Sequence, residues 1–103
     1  MDNFTERRQT KRIKTNKKLR IYSSVSRVPY TVDISDISMR GASVKTKFLP
    51  TLDEVITFEA IDNYVQRLHF GNARVRWVKD SQNIGDSGFG IEFDDDFPLE
   101  AIN

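Results

Sequence analysis

Three arginines near the start of the chain and a small polar cluster further on are the residues whose types and spacing point to chemistry. Arg8 and Arg12 stand four apart in Glu6-Arg7-Arg8-Gln9-Thr10-Lys11-Arg12-Ile13, with Arg7 beside them. Asp36, Ser38 and Gly41 lie in a stretch where Asp-Ile-Ser occurs twice in succession, at 33–35 and 36–38. Only the second copy runs on to a glycine, giving D-x-S-x-x-G. Guanidinium groups present planar forks that capture anions, so the first set reads as an anion-gripping arm or, more plainly, as a solvated basic tail. The second reads as a small binding turn or as an ordinary Asx/Ser turn, for which the same residue types are favoured.

Other candidates carry less. Trp77, the single tryptophan, is either a stacking platform for a base, worth ~1–3 kcal/mol, or a core or half-buried strand residue; the second is the expectation, with Trp77 kept as a secondary binding residue. His69 is the single histidine and the chain has no cysteine, so neither a metal-ligand set of those types nor a disulfide is expected. Gly85-Asp86-Ser87-Gly88 resembles the nucleophile loop of trypsin-like proteases, but that chemistry needs a Ser–His–Asp constellation, and the tetrapeptide reads as a hairpin turn. Asp94-Asp95-Asp96 reads as a solvated acidic loop, because consecutive carboxylates diverge whereas calcium needs ~6–8 converging oxygens.

The elements that must position these residues follow from a period of two. The 103 residues suit one domain, with about two thirds of the chain's surface buried on folding. Composition (38% hydrophobic, 30% charged, mean hydropathy −0.53) indicates a soluble globular chain. No apolar run approaches the ~20 residues of a membrane span, the first residues lack the apolar core of a secretory signal, and a cytoplasmic location without membrane insertion is the expectation. Net charge is +1, but residues 1–27 hold nine basic and two acidic side chains, a balance of +7, against seven and thirteen, −6, in the remainder. A basic arm on a mildly acidic body results.

Strands are expected at 19–25, 29–35, 41–48, 55–60, 65–79 with a break near Gly71, and 89–93. Turn signals separate them at Leu49-Pro50, Asp62-Asn63 and the 80–87 cluster. Leu99–Asn103, after Pro98, offers a short C-terminal helix. Short strands at such spacing predict an all-β antiparallel barrel or sandwich. Alternation through Tyr30, Val32 and Ile34 slips by one between Ser35 and Ile37, the mark of a bulge or of the end of pairing. Asp36, Ser38 and Gly41 are therefore expected on a turn at a strand end, with Gly41 serving positive φ or a close approach of another molecule.

R-x-x-x-R in an arm (Arg8, Arg12), followed by D-x-S-x-x-G (Asp36, Ser38, Gly41), resembles the PilZ family of small bacterial domains that bind cyclic di-GMP. Ala73-Arg74-Val75-Arg76-Trp77-Val78 and Gly88-Phe89-Gly90-Ile91-Glu92-Phe93 fit the resemblance, which spans about residues 6–94. It implies a six-stranded antiparallel β-barrel over 17–103 with a C-terminal tail, and a flexible basic arm over 1–16. It also implies a non-enzymatic cyclic di-GMP receptor that uses Arg7, Arg8, Arg12, Asp36, Ser38 and Gly41. No cofactor or metal is expected. The ligand's two phosphates and guanine O6/N7 edges suit bidentate arginines, which lysine does not replace. Asp36 suits the donors of a guanine Watson–Crick edge. Arm ordering would signal to an unidentified effector protein, with motility, surface polysaccharide, adhesion or virulence as outputs.

The alternatives are a nucleic-acid-binding small barrel, with Trp77 and Tyr64 as stacking groups, and a PilZ-like protein-interaction module without ligand. The first leaves the spacing of Asp36, Ser38 and Gly41 unexplained and sets an acidic body against a polyanion, so no nucleic acid is expected. The intact motifs oppose the second.

Overall fold

The computed structural model describes residues 11–24, 26–83 and 85–102. Six strands, β1 (Lys18–Tyr22), β2 (Tyr30–Ile37), β3 (Gly41–Lys45), β4 (Val55–Ile61), β5 (Arg67–Lys79) and β6 (Gly88–Phe93), form a closed barrel in the order β1-β2-β3-β6-β5-β4. Every pairing is antiparallel, and β1 closes the ring against β4. Closure gives every strand a partner on each side. The expected six-stranded antiparallel barrel is the observed one.

Alternation puts Leu19 and Ile21, Val32 and Ile34, Ile56 and Phe58, and Phe89 and Ile91 inside, all buried. The C-terminal residues plug one end. Phe97 stacks on Phe93 at 5.1 Å and meets the His69 ring edge-on at 4.9 Å, and Ile102, in a single 3-10 turn (Leu99–Ile102), is buried against the same core. His69 thus packs among aromatics.

Several boundaries differ from the sequence expectation. Strand β1 stops at Tyr22 because Ser23 and Ser24 turn aside to Glu54, whose Oε2 accepts from Ser23 Oγ at 2.6 Å and Ser24 N at 2.8 Å. Strand β3 stops at Lys45, where the Thr46 hydroxyl accepts from Phe48 N at 3.0 Å and bends the chain. Strand β5 does not break at Gly71. The Phe58 ring lies over that glycine, 3.3 Å from where a Cβ would stand, and supplies the cover it lacks.

The slip read at Ser35 is a bulge: the β2–β3 register shifts between Ile34 and Asp36. Pairing does not end there. Asp36 pairs with Ser43 and Ile37 with Ala42, so Asp36 belongs to the ladder rather than to the turn. Beyond the bulge, β1 no longer covers its side of β2, and the chain leading into β1 takes that place. Ile13 N donates to Ile37 O at 2.8 Å and Ile37 N to Ile13 O at 2.9 Å.

Candidate functional site

The Ile13–Ile37 bridge decides where Arg12 goes. With Ile13 partly buried against the core, its neighbour Arg12 is directed outward, beside Asp36, itself the neighbour of Ile37. Arg12 Nη1 lies 3.3 Å from Asp36 Oδ1. That oxygen is buried, and no donor among the described residues reaches it in hydrogen-bonding geometry. A buried acceptor without a donor is unfavourable by about 1–3 kcal/mol, and it marks the place where an incoming N–H would be most stabilising. Arg7 and Arg8 lie outside the described residues.

The three residues of D-x-S-x-x-G do different work in this geometry. Ser38 is buried and its hydroxyl shapes the turn, accepting from Arg40 N at 3.1 Å and Gly41 N at 3.2 Å, while Ser38 N donates to Gly41 O at 2.8 Å. Gly41 starts β3 without positive φ. A Cβ there would stand 2.3 Å from the carbonyl oxygen of Ile91 on β6. The close approach expected at Gly41 is therefore made by the protein's own neighbouring strand. The turn is also tied to the C-terminal segment, since Phe93 N donates to Arg40 O and Phe97 N to Met39 O, both at 2.8 Å.

Trp77 is not a core residue. The β5–β6 register shifts between Val75 and Trp77, and the bulge leaves Arg76 and Trp77 both exposed, Trp77 at 44%. The indole lies on Gly90, where a Cβ would fall 2.0 Å from its Nε1. One part of the ring is thus seated on backbone and the remainder is open to a ligand.

These elements converge on one open groove of about 360 Å³, lined by Arg12, Ser38, Arg40, Gly41, Arg76, Trp77 and the β6 segment Gly90–Glu92. The volume is in the range of small-molecule sites. Arg40 and Arg76 belong to the groove, although the sequence reading gave them no role. Arg40 occupies an unspecified position of the motif and Arg76 flanks Trp77, so their neighbours were the only available signal. Arg76 Nε is 3.0 Å from Glu92, and Arg40 Nε is 4.0 Å from Asp96. Three guanidiniums and an indole face in the groove, with the buried Asp36 oxygen beside Arg12, suit a planar, anionic ligand with N–H donors. Asp33, from the first Asp-Ile-Ser, instead pairs with Lys18 on β1.

Among the described residues no group of three or more His, Cys, Asp or Glu side chains could hold a metal, and no helix is long and apolar enough to cross a membrane. Gly85 takes positive φ (82°), and Ser87 Oγ is held by Ser81, accepting from its N at 2.9 Å and donating to its carbonyl at 3.1 Å. Gly85–Gly88 is thus part of the β5–β6 connection.

Comparison with known proteins found no match among curated proteins. The family model described as PilZ domain matches residues 6–103, nearly the whole chain. The chain therefore belongs to the PilZ domain family, a family of ligand-binding receptor domains, rather than of enzymes, whose ligand is cyclic di-GMP.

Proposed function

We propose that this protein is a cyclic di-GMP receptor without catalytic activity of its own, and that the groove between the Ser38–Gly41 turn and Trp77 is its binding site. The observation that carries this reading is the Asp36 Oδ1 atom, buried and, among the described residues, short of a donor, beside Arg12, which lines the adjoining groove. Guanine N1–H and N2–H₂ are donors of the kind that atom lacks. Arg12, Arg40 and Arg76 offer forks for the phosphates and for guanine O6/N7, and Trp77 offers a surface for a guanine to stack on. Ser38 and Gly41 contribute by holding the turn and the β3–β6 contact in place, so they position the site as well as border it.

Arg7 and Arg8 complete the grip from the arm. The phosphates offset the repulsion among the clustered guanidiniums, which favours the arm-closed arrangement over others. An effector protein then reads the altered surface.

Calorimetric titration of cyclic di-GMP tests this. The wild type should bind at micromolar ligand or better. Arg8→Ala, Arg12→Ala and Asp36→Ala should each weaken binding by tenfold or more, about 1.4 kcal/mol, and Asp33→Ala should be nearly silent. No binding by a folded wild type, or equal losses from Asp33→Ala and Asp36→Ala, refutes the assignment. Salt-steep binding to unrelated oligonucleotides with no cyclic di-GMP binding supports the nucleic-acid reading instead.

A further inference from the structure

A second constructed surface lies on the far side of the barrel. Antiparallel register aligns Arg20 on β1, Glu59 on β4 and Phe70 on β5 in one outward row, with Tyr22, Thr57 and Asn72 in the next. Glu59 faces outward yet is only 7% exposed, because neighbouring side chains close over it. The Tyr22 hydroxyl donates to its Oε1 at 2.7 Å and Arg20 Nη1 at 3.2 Å, while Arg67 Nε donates to Oε2 at 2.8 Å and its Nη2 lies 2.7 Å away. The Arg67 guanidinium also sits 4.8 Å over the Phe70 ring, which is 58% exposed. Tyr22, Thr57, Glu59, Arg67 and Phe70 line a shallow groove of about 320 Å³.

We propose that this face docks an acidic, extended segment of a partner protein, with one apolar side chain of that segment seated between Tyr22 and Phe70. Charge selects the occupant. Arg20 and Arg67 share the groove's face with one carboxylate, Glu59, both of whose oxygens are engaged, and Arg74 stands further along β5 between Val55 on β4 and Glu92 on β6. Arg74 donates to the backbone carbonyl of Asp53 at 2.9 Å and has no carboxylate partner among the described residues. Two guanidiniums on one carboxylate leave a positive surplus around exposed aromatics, and Tyr, Phe and Arg are the types enriched at interface centres.

Glu59 holds the guanidiniums of Arg20 and Arg67 in place, so a carboxylate binding to their remaining N–H groups loses little side-chain freedom. The chain's own basic arm is repelled from such a surface. A second copy using the same face would set like charge against like across a two-fold axis. Strand β5 carries Phe70 toward one end and Trp77 toward the other, so the face stays available when the Trp77 groove is filled.

The test is ¹⁵N–¹H shift mapping of the intact protein, without cyclic di-GMP, against a synthetic eight-residue peptide of six glutamates, one Phe and one Leu. Saturable perturbations should cluster at Tyr22, Thr57, Arg67 and Phe70. Phe70→Ala and Arg74→Glu, both at exposed positions, should each weaken the peptide about tenfold while leaving cyclic di-GMP titration unchanged. A peptide with lysine in place of glutamate should leave the face unperturbed. Absence of saturable shifts at this face, equal response to the lysine peptide, or shifts confined to the Asp36 groove overturns the proposal. So does a concentration-dependent dimer in sedimentation that Phe70→Ala abolishes, since the occupant would then be a second copy.

Discussion

Gly41→Ala separates two explanations for the last residue of D-x-S-x-x-G. One holds that glycine is needed for ligand access; the geometry assigns it to the barrel. A methyl group at Gly41 would stand 2.3 Å from the Ile91 carbonyl oxygen, inside the 3.0 Å that real Cβ contacts respect, and the obstacle is backbone that cannot rotate away. Either β3 or β6 must move by about 0.7 Å. Overpacking of this kind costs ~1–3 kcal/mol, and loosening one adjoining ladder or turn hydrogen bond, such as Phe93 N to Arg40 O, adds ~0.5–1.5 kcal/mol. The expected loss is ~1.5–4.5 kcal/mol, against a total of ~5–15 kcal/mol for a domain of this size. The variant should therefore still fold, with Tm lowered by ~6–36 °C.

Urea and thermal unfolding, followed by circular dichroism without ligand, measure this. Gly71→Ala is the control, since a Cβ there meets only the Phe58 ring at 3.3 Å, and its loss should be smaller. If Gly41→Ala unfolds within ~0.5 kcal/mol of the wild type while cyclic di-GMP binding disappears, the steric argument is wrong and the glycine serves the ligand directly.

Three further outcomes are expected. Gly90→Ala should lift the indole of Trp77 off β6, shifting the protein's tryptophan emission and weakening cyclic di-GMP about tenfold or more; unchanged emission contradicts the seating. The Tyr22 hydroxyl above all, and then Arg67 and Arg20, hold the Glu59 carboxyl below its ordinary 4.5 despite desolvation. The unfolded chain thus binds the proton first as pH falls, so this stabilisation is present above 4.5 and is lost on acidification through the folded value. Glu59→Gln should be less stable at neutral pH and show a shallower acid slope, with Glu54, lowered in the same direction, still contributing; parallel pH profiles would refute it. Burial first, and the Glu54 carboxylate second, push the Tyr30 hydroxyl up to about 12. Stability should accordingly fall between pH 10 and about 12, and spectrophotometric titration should lose a late phenolate step in Tyr30→Phe.

Much of the architecture was legible because its signals are local. Alternation in Tyr30-Thr31-Val32-Asp33-Ile34 specifies one buried face, and its failure at Ser35 marks the bulge. The two motifs name Arg12 and Asp36 without reference to any contact. The gaps have a common cause, which is that they depend on residues far apart in sequence. Period two alone carries Trp77 inward with Ala73 and Val75; only pairing with Gly90 reveals the register shift that turns it out. Gly41 reads as turn chemistry until β6 is placed against it.

Composition, strand period and motif order by themselves determined a small antiparallel β protein with its basic residues concentrated in the first 27 positions. Only tertiary structure decided that Arg40, Arg76 and Trp77 share a groove with Arg12, and that Arg20, Tyr22 and Arg67 converge on Glu59. Local pattern records which face a side chain prefers. Barrel closure and strand register decide which other side chains it finds there.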